Sequence, residues 1–212
     1  MKLRLVPVAI TPVTFKDIFH ALLTSTNALA KFRHQLSAYF SGKQTYTFTS
    51  LMRATYACLL ALKSTNSTKN EVIIPRYSCP SFLHGITASG LKIKYCDIDP
   101  QTLNIDLTSL KQSITPKTLA IMVTNLFGLS NPIEEIQQIC RQHQIILIET
   151  ADYAHGSIYH RQPVGSFGAY TILNFQEGKA LPIGGAAVIE RNSQHLNQLD
   201  DLTRQQSGLK PF

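Results

Sequence analysis

From residue 50 onward, short β-branched runs alternate with amphipathic stretches of helix length, and this alternation constrains the fold more than any other feature of the chain. Strands are predicted at 72–75, 92–98, 119–125, 145–150, 169–173 and 186–190. Several are continuous apolar runs, the pattern of strands covered on both faces. Helices are predicted between them at about 51–63, 81–89, 107–113 and 132–143. The last carries Ile133, Ile136, Ile139 and Cys140 at three-to-four spacing, with Asn131 read as N-cap and Pro132 at the first helical position. Gly90 marks a helix end just before a strand. The βαβ order implies an α/β domain with a mainly parallel sheet and right-handed crossovers. Residues 1–49 are less regular, with helices expected around 15–23 and 28–40, so the chain is divided into an N-terminal helical segment (1–49) and a sheet domain (50–212).

Composition bounds the function classes. Hydrophobic residues at 44% against 16% charged mark a globular chain. Its apolar runs are too short to cross a bilayer. The N-terminus resembles a signal peptide only faintly, since Pro7 and Pro12 interrupt it and no small-residue cleavage site follows. A cytoplasmic location is the expectation. Cys58, Cys79, Cys96 and Cys140 lie far apart with no C-x-x-C pair, which fits reduced thiols and no metal site. The net charge of +7 favours acidic ligands such as phosphates. The basic residues are scattered, so no nucleic-acid patch is expected.

In parallel α/β sheets, ligand-binding groups come from loops at the carboxyl ends of strands. Those loops should be 75–80, 125–128, 150–155 and 174–179, joined by the helix N-terminus after Ser50, whose amides suit an anion. Lys179 ends the last of them, shortly before Gly184-Gly185. A desolvated loop lysine can form a Schiff base with an aldehyde cofactor, although most loop lysines are solvated surface charges. A lysine, a phosphate-binding helix end and polar strand ends together suggest a pyridoxal phosphate (PLP) pocket.

The segments in this order resemble the DegT/DnrJ/StrS family of PLP-dependent aminotransferases. The likeness runs through Glu71-Val72-Ile73-Ile74-Pro75, then Cys96-Asp97-Ile98-Asp99-Pro100 with Thr102-Leu103-Asn104-Ile105-Asp106. It continues through Ile114-Thr115-Pro116-Lys117-Thr118, Leu126-Phe127-Gly128 and Ile148-Glu149-Thr150-Ala151-Asp152-Tyr153-Ala154-His155-Gly156. It ends in the stretch from Phe175 through Lys179 to Gly185, and covers roughly residues 30–195. Each piece is weak alone, while their order and spacing are specific. The resemblance implies the large domain of the type I aminotransferase fold, with a mainly parallel sheet of about six or seven strands flanked by helices. It also implies PLP as cofactor, an amino donor such as glutamate, and a nucleotide-linked keto sugar as acceptor.

Carried over by motif, Lys179 is the Schiff-base and proton-moving lysine. Asn174 takes the place of a phosphate-binding serine, and Ser50, Leu51 and Met52 take the place of a phosphate-binding Ser-Gly-Thr. Four departures follow from the same comparison. Leu51 and Met52 remove a hydroxyl and add bulk where backbone should approach a phosphate closely. Thr150 stands where the family has the aspartate that pairs with the cofactor's ring nitrogen. Asp152 could face the same way if the strand continues two residues further. Tyr153 replaces a glutamine near the ring, and Cys79 replaces an aromatic that stacks on it. His155 and Glu149 are read as structural hydrogen-bonding residues. Asn125 lines the pocket or caps a strand, and Asp97 and Asp99 are turn residues.

The resemblance also implies that a C-terminal small domain present in the family is absent from this chain. A homodimer, or a partner chain supplying that domain, would complete the site. Two readings result. One is a sugar-aminotransferase-type PLP protein. The other is a catalytically degenerate α/β module with a binding or assembly role.

Overall fold

One strand, Ala186–Glu190, runs against all the others of a seven-stranded sheet, and it ties the N-terminal part of the chain to the rest. The computed structural model describes residues 27–176 other than 67, together with 14–16, 19, 179, 183–192, 199 and 201–203. The order is α1 (Ala28–Tyr39), β1 (Gln44–Phe48), α2 (Leu51–Thr65), β2 (Glu71–Pro75), α3 (Pro80–Ala88), β3 (Lys92–Cys96) and α4 (Leu107–Ser113). Then follow β4 (Thr118–Thr124), α5 (Ile133–His143), β5 (Ile146–Thr150), the short pair β6 (Ile158–Tyr159) and β7 (Gln162–Pro163), β8 (Tyr170–Asn174) and β9 (Ala186–Glu190).

The sheet order is β1-β9-β8-β5-β4-β2-β3. The β2–β3, β2–β4, β4–β5 and β5–β8 pairs are parallel, and β9 is antiparallel to both β8 and β1. Strand alternation sorts the core into two faces. Val72, Ile74, Ala120, Met122, Ile148, Tyr170, Ile172 and Val188 pack against α2 and α3. On the reverse face, Ile73, Ile121, Val123 and Leu147 meet α4 and α5, while Leu173, Ala187 and Ile189 meet Leu36 and Phe40. Ile73 and Ile121 are fully buried, each worth roughly 2–3 kcal/mol of transfer free energy.

The helices follow from local sequence. Ser50 caps α2 in extended geometry and accepts the Arg53 amide at 3.3 Å, and no Gly or Pro interrupts the helix before Asn66. Pro80 opens α3 at a position where its missing N–H costs nothing. Gly85 lets α3 lie against α2, since a Cβ there would fall 2.6 Å from Thr55 Cβ and 2.9 Å from Met52 O. In α5 the expected apolar face is buried, with Glu134 and Glu135 in the first turn and Arg141 and His143 in the last complementing the helix dipole.

Three expectations change. Gln44–Phe48, within the segment read as helical, is a sheet strand paired along its length with β9. Helix α5 starts at Ile133 with Pro132 as N-cap, because the buried Asn131 side chain is spent on Thr124 O, Asn125 Oδ1 and the Ile105 amide. Strand β3 ends at Cys96, and Ile98 makes an isolated bridge to Ile105. Of the helix expected at 15–23, residues 15, 16 and 19 are helical and the rest lies outside the described residues.

Candidate active site at the carboxyl edge of the sheet

Register brings the functional loops together. Phe48 and Asn174 both pair with Ala186, Thr150 pairs with Ile172, and Thr124 pairs with Thr150. The ends of β1, β8, β5 and β4 therefore lie along one edge, and the chain leaves each toward the same side. Gly185 seals this edge, where a Cβ would meet Phe48 O at 2.5 Å and φ is +76°.

Lys179 sits in this edge with only 8% of its surface exposed. Its Nζ lies 2.9 Å from Asp152 Oδ2 and 3.3 Å from the centroid of the Tyr153 ring. Burial alone would lower the amine's pKa, but contact with Tyr153 and the Asp152 carboxylate outweighs burial and holds it above the ordinary lysine value. The amine is thus a docked ammonium ion. Asp152 is buried, and its second oxygen, Oδ1, has no hydrogen-bond partner among the described residues. The Thr150 hydroxyl is also fully buried, without a partner among the described residues. Buried polar atoms are normally satisfied, so an orphaned oxygen on the carboxylate that holds the buried amine, with a second orphan at the end of β5, leaves hydrogen-bonding capacity at this edge.

The condition for Asp152 to share the face of Thr150 by strand alternation is not met. Strand β5 ends at Thr150, and Asp152 lies in the following turn, aimed at the lysine. Leu51 does not crowd the helix end, because its side chain is buried in the core beneath α2. Met52 is on the exposed side of the same turn. The amides of Leu51 and Met52 precede any intrahelical acceptor and form the donor end of α2. Asn174 is buried at the end of β8, and its Oδ1 accepts the Gln176 amide. Cys79 is the half-buried N-cap of α3 and packs on the core with a free thiol.

Other candidates are spent on structure. Asn125 donates to Glu149 Oε2 and to Thr150 O and accepts from Asn131, so it is a buried tie at the end of β4. Glu149 Oε1 accepts the Phe167 and Gly168 amides at 2.7 and 2.6 Å. Burial raises the Glu149 pKa, against the pull of those amides, of Arg191 and of Asn125. His155 stacks on Tyr39, and burial lowers its pKa. Asp99 Oδ1 accepts the Gln101 amide, a turn contact. Among the described residues no group of His, Cys, Asp and Glu forms a metal site, and no helix is long and apolar enough to cross a membrane. Sequence reasoning missed the contact of Tyr153 and Asp152 with Lys179. A carboxylate and an aromatic side by side after a strand were its only signal.

Comparison with known proteins agrees with this architecture. The profile of the DegT/DnrJ/EryC1/StrS aminotransferase family matches residues 16–208. L-glutamine:2-deoxy-scyllo-inosose aminotransferase of Micromonospora echinospora is 34% identical over 69% of this chain and 35% of its own length. GDP-4-keto-6-deoxy-D-mannose 3-dehydratase of Escherichia coli O55:H7 is 30% identical over 79% of this chain and 45% of its own length. A solved structure of GDP-4-keto-6-deoxymannose-3-dehydratase with a trapped PLP-glutamate geminal diamine superposes with TM-score 0.81 at 26% identity, covering 91% of this chain and 53% of that one. The chain thus spans between about a third and a half of these relatives. The mainly parallel sheet flanked by helices is the fold of PLP-dependent aminotransferase structures. With the family profile matched across most of its length, the chain belongs to the DegT/DnrJ/EryC1/StrS aminotransferase family.

Proposed function

We propose that this chain binds PLP through Lys179 and serves amino-group transfer between an amino acid such as glutamate and a keto sugar carried on a nucleotide. The single observation that carries the reading is the buried Lys179 amine at the carboxyl edge, held by a buried Asp152 whose second oxygen has no partner among the described residues. The residues present fit the cofactor. Lys179 offers the amine, the α2 amides after Ser50 offer donors for a phosphate, and Asn174 stands at the same edge. Thr150 and Asp152 offer the unsatisfied oxygens. Once bound, PLP supplies an electron sink that allows amino groups to be exchanged.

The chain's own side chains bind, orient and carry protons. Lys179 Nζ is the proton carrier of the site, and Asp152 Oδ2 holds its proton when the amine is charged. Thr150, a neutral hydroxyl, cannot hold a charged ring nitrogen as a carboxylate does, so that electronic support is weaker here than the family motif supplies. The relatives are enzymes, which supports the aminotransferase reading over a non-catalytic module.

We place residues 50–212, together with α1 and β1, in the PLP-binding large domain. Substrate contacts would be completed by a second subunit or a further domain. Exposed apolar side chains on loops and helix starts at this edge, Met52, Tyr77, Phe127, Tyr153 and Ile183, support that completion. Four free thiols support a reducing, cytoplasmic setting.

The test is to add PLP, reduce with borohydride and map the modified residue by mass spectrometry. The reading predicts one stable adduct on Lys179, lost in Lys179→Ala. Labelling scattered over surface lysines, or unchanged in the variant, would refute it. Adding glutamate to the loaded wild-type protein and following the cofactor's absorption then separates transfer from binding.

A further inference from the structure

We propose that Asp152 is a positioning residue for Lys179, docking the amine as an ammonium ion against the Tyr153 ring and setting when that nitrogen becomes a nucleophile. The inference rests on Lys179 being the cofactor lysine. Its geometric basis is the 2.9 Å ion pair between two side chains of 9% and 4% exposure, with the ring closing the third side. A carboxylate at the end of β5 would face a ligand, but that position holds Thr150. The negative charge instead sits two residues on, in the turn, with one oxygen committed to the lysine itself.

Among the described residues, the groups facing Nζ are the Asp152 carboxylate and Tyr153, by its ring and its hydroxyl. His155, on the same loop, turns to Tyr39 and Phe40 of the α1 region. An ammonium nitrogen has no lone pair. Its proton must pass to Asp152 Oδ2 or to water before the nitrogen can attack a carbonyl carbon. The unpartnered Asp152 Oδ1 gives this pair a second point of control. A ligand donor that binds there draws on the same negative charge and loosens its hold on the lysine proton. Burial then favours the neutral amine.

The test uses the full chain without PLP. Trace acetic anhydride is added across a pH series with a free lysine peptide as internal standard, and acetylation of Lys179 is read by mass spectrometry. In wild type the Lys179 midpoint lies above that of the standard. In Asp152→Asn, which keeps shape and removes charge, the midpoint falls by about one pH unit or more, giving about tenfold more acetylation at a pH below both midpoints. An unchanged midpoint in a variant whose circular dichroism matches wild type overturns the proposal. Should that variant not fold, wild type decides alone, because a midpoint at or below the standard overturns it equally. Failure of PLP to modify wild-type Lys179 would remove the proposed function, while the acetylation series still decides the role of Asp152.

Discussion

Glu149 and Thr150 are neighbours at the end of β5, yet their surroundings differ completely. Glu149 is buried with both carboxylate oxygens engaged, by the Phe167 and Gly168 amides and by Asn125. Arg191 extends the knot, donating to Phe40 O, Gly165 O, Gly168 O and Thr171 Oγ1. Thr150 is as deeply buried, but among the described residues its hydroxyl has no partner, and neither does Asp152 Oδ1. A saturated polar network holds loops to strands and has no capacity left for a ligand. An unsaturated one beside a buried amine keeps that capacity at a cost to stability. The difference separates scaffold from site within two adjacent residues.

Glu149→Ala should show the largest effect, since it strands two backbone amides and the Asn125 side chain. A loss of about 3 kcal/mol or more in chemical denaturation is expected, and a loss below about 1 would break the comparison. Asn125→Ala removes the ties to Glu149 and Asn131 and should cost about 2 kcal/mol in the same measurement. Thr150→Val should act in the opposite direction. Removing an orphaned hydroxyl at constant shape should stabilise the free protein by about 1 kcal/mol while weakening PLP binding in a spectrophotometric titration. Destabilisation by this substitution would show that the hydroxyl is satisfied in solution.

The smallest effect concerns alkaline pH. The folded-state pKa of Lys179 is raised above its unfolded value. Its ion pair therefore contributes stability that is fully present below the unfolded value, about 10.4, and is lost as pH rises through the folded one. The melting-temperature gap between wild type and Asp152→Asn should be constant near neutrality and shrink in that alkaline window. A gap independent of pH would mean that the pair contributes nothing specific.

Much of the scaffold was legible in sequence, because doubly covered strands such as 119–125 read as continuous apolar runs and Ile133, Ile136 and Ile139 repeat at helical spacing. Strand β1 was not, because Gln-Thr-Tyr-Thr-Phe is short and mixed, and its partner β9 lies some 140 residues away in sequence. The location of Lys179 at a strand-end loop followed from the motif order. The direction of Asp152 did not, since the turn after Thr150 decides it and strand alternation does not extend there. Asn131 misled for a related reason: it has the chemistry of a cap, but three long-range partners claim its side chain.

The most direct test of the contrast is amide hydrogen exchange with and without PLP, on wild type and Lys179→Ala. Slowed exchange is expected in peptides covering Leu51–Arg53 and Ala151–Ala154, with the Phe167–Gly168 peptide unchanged and the Ala151–Ala154 effect lost in the variant. Equal protection of the Phe167–Gly168 peptide, or no protection at the carboxyl edge, would contradict it.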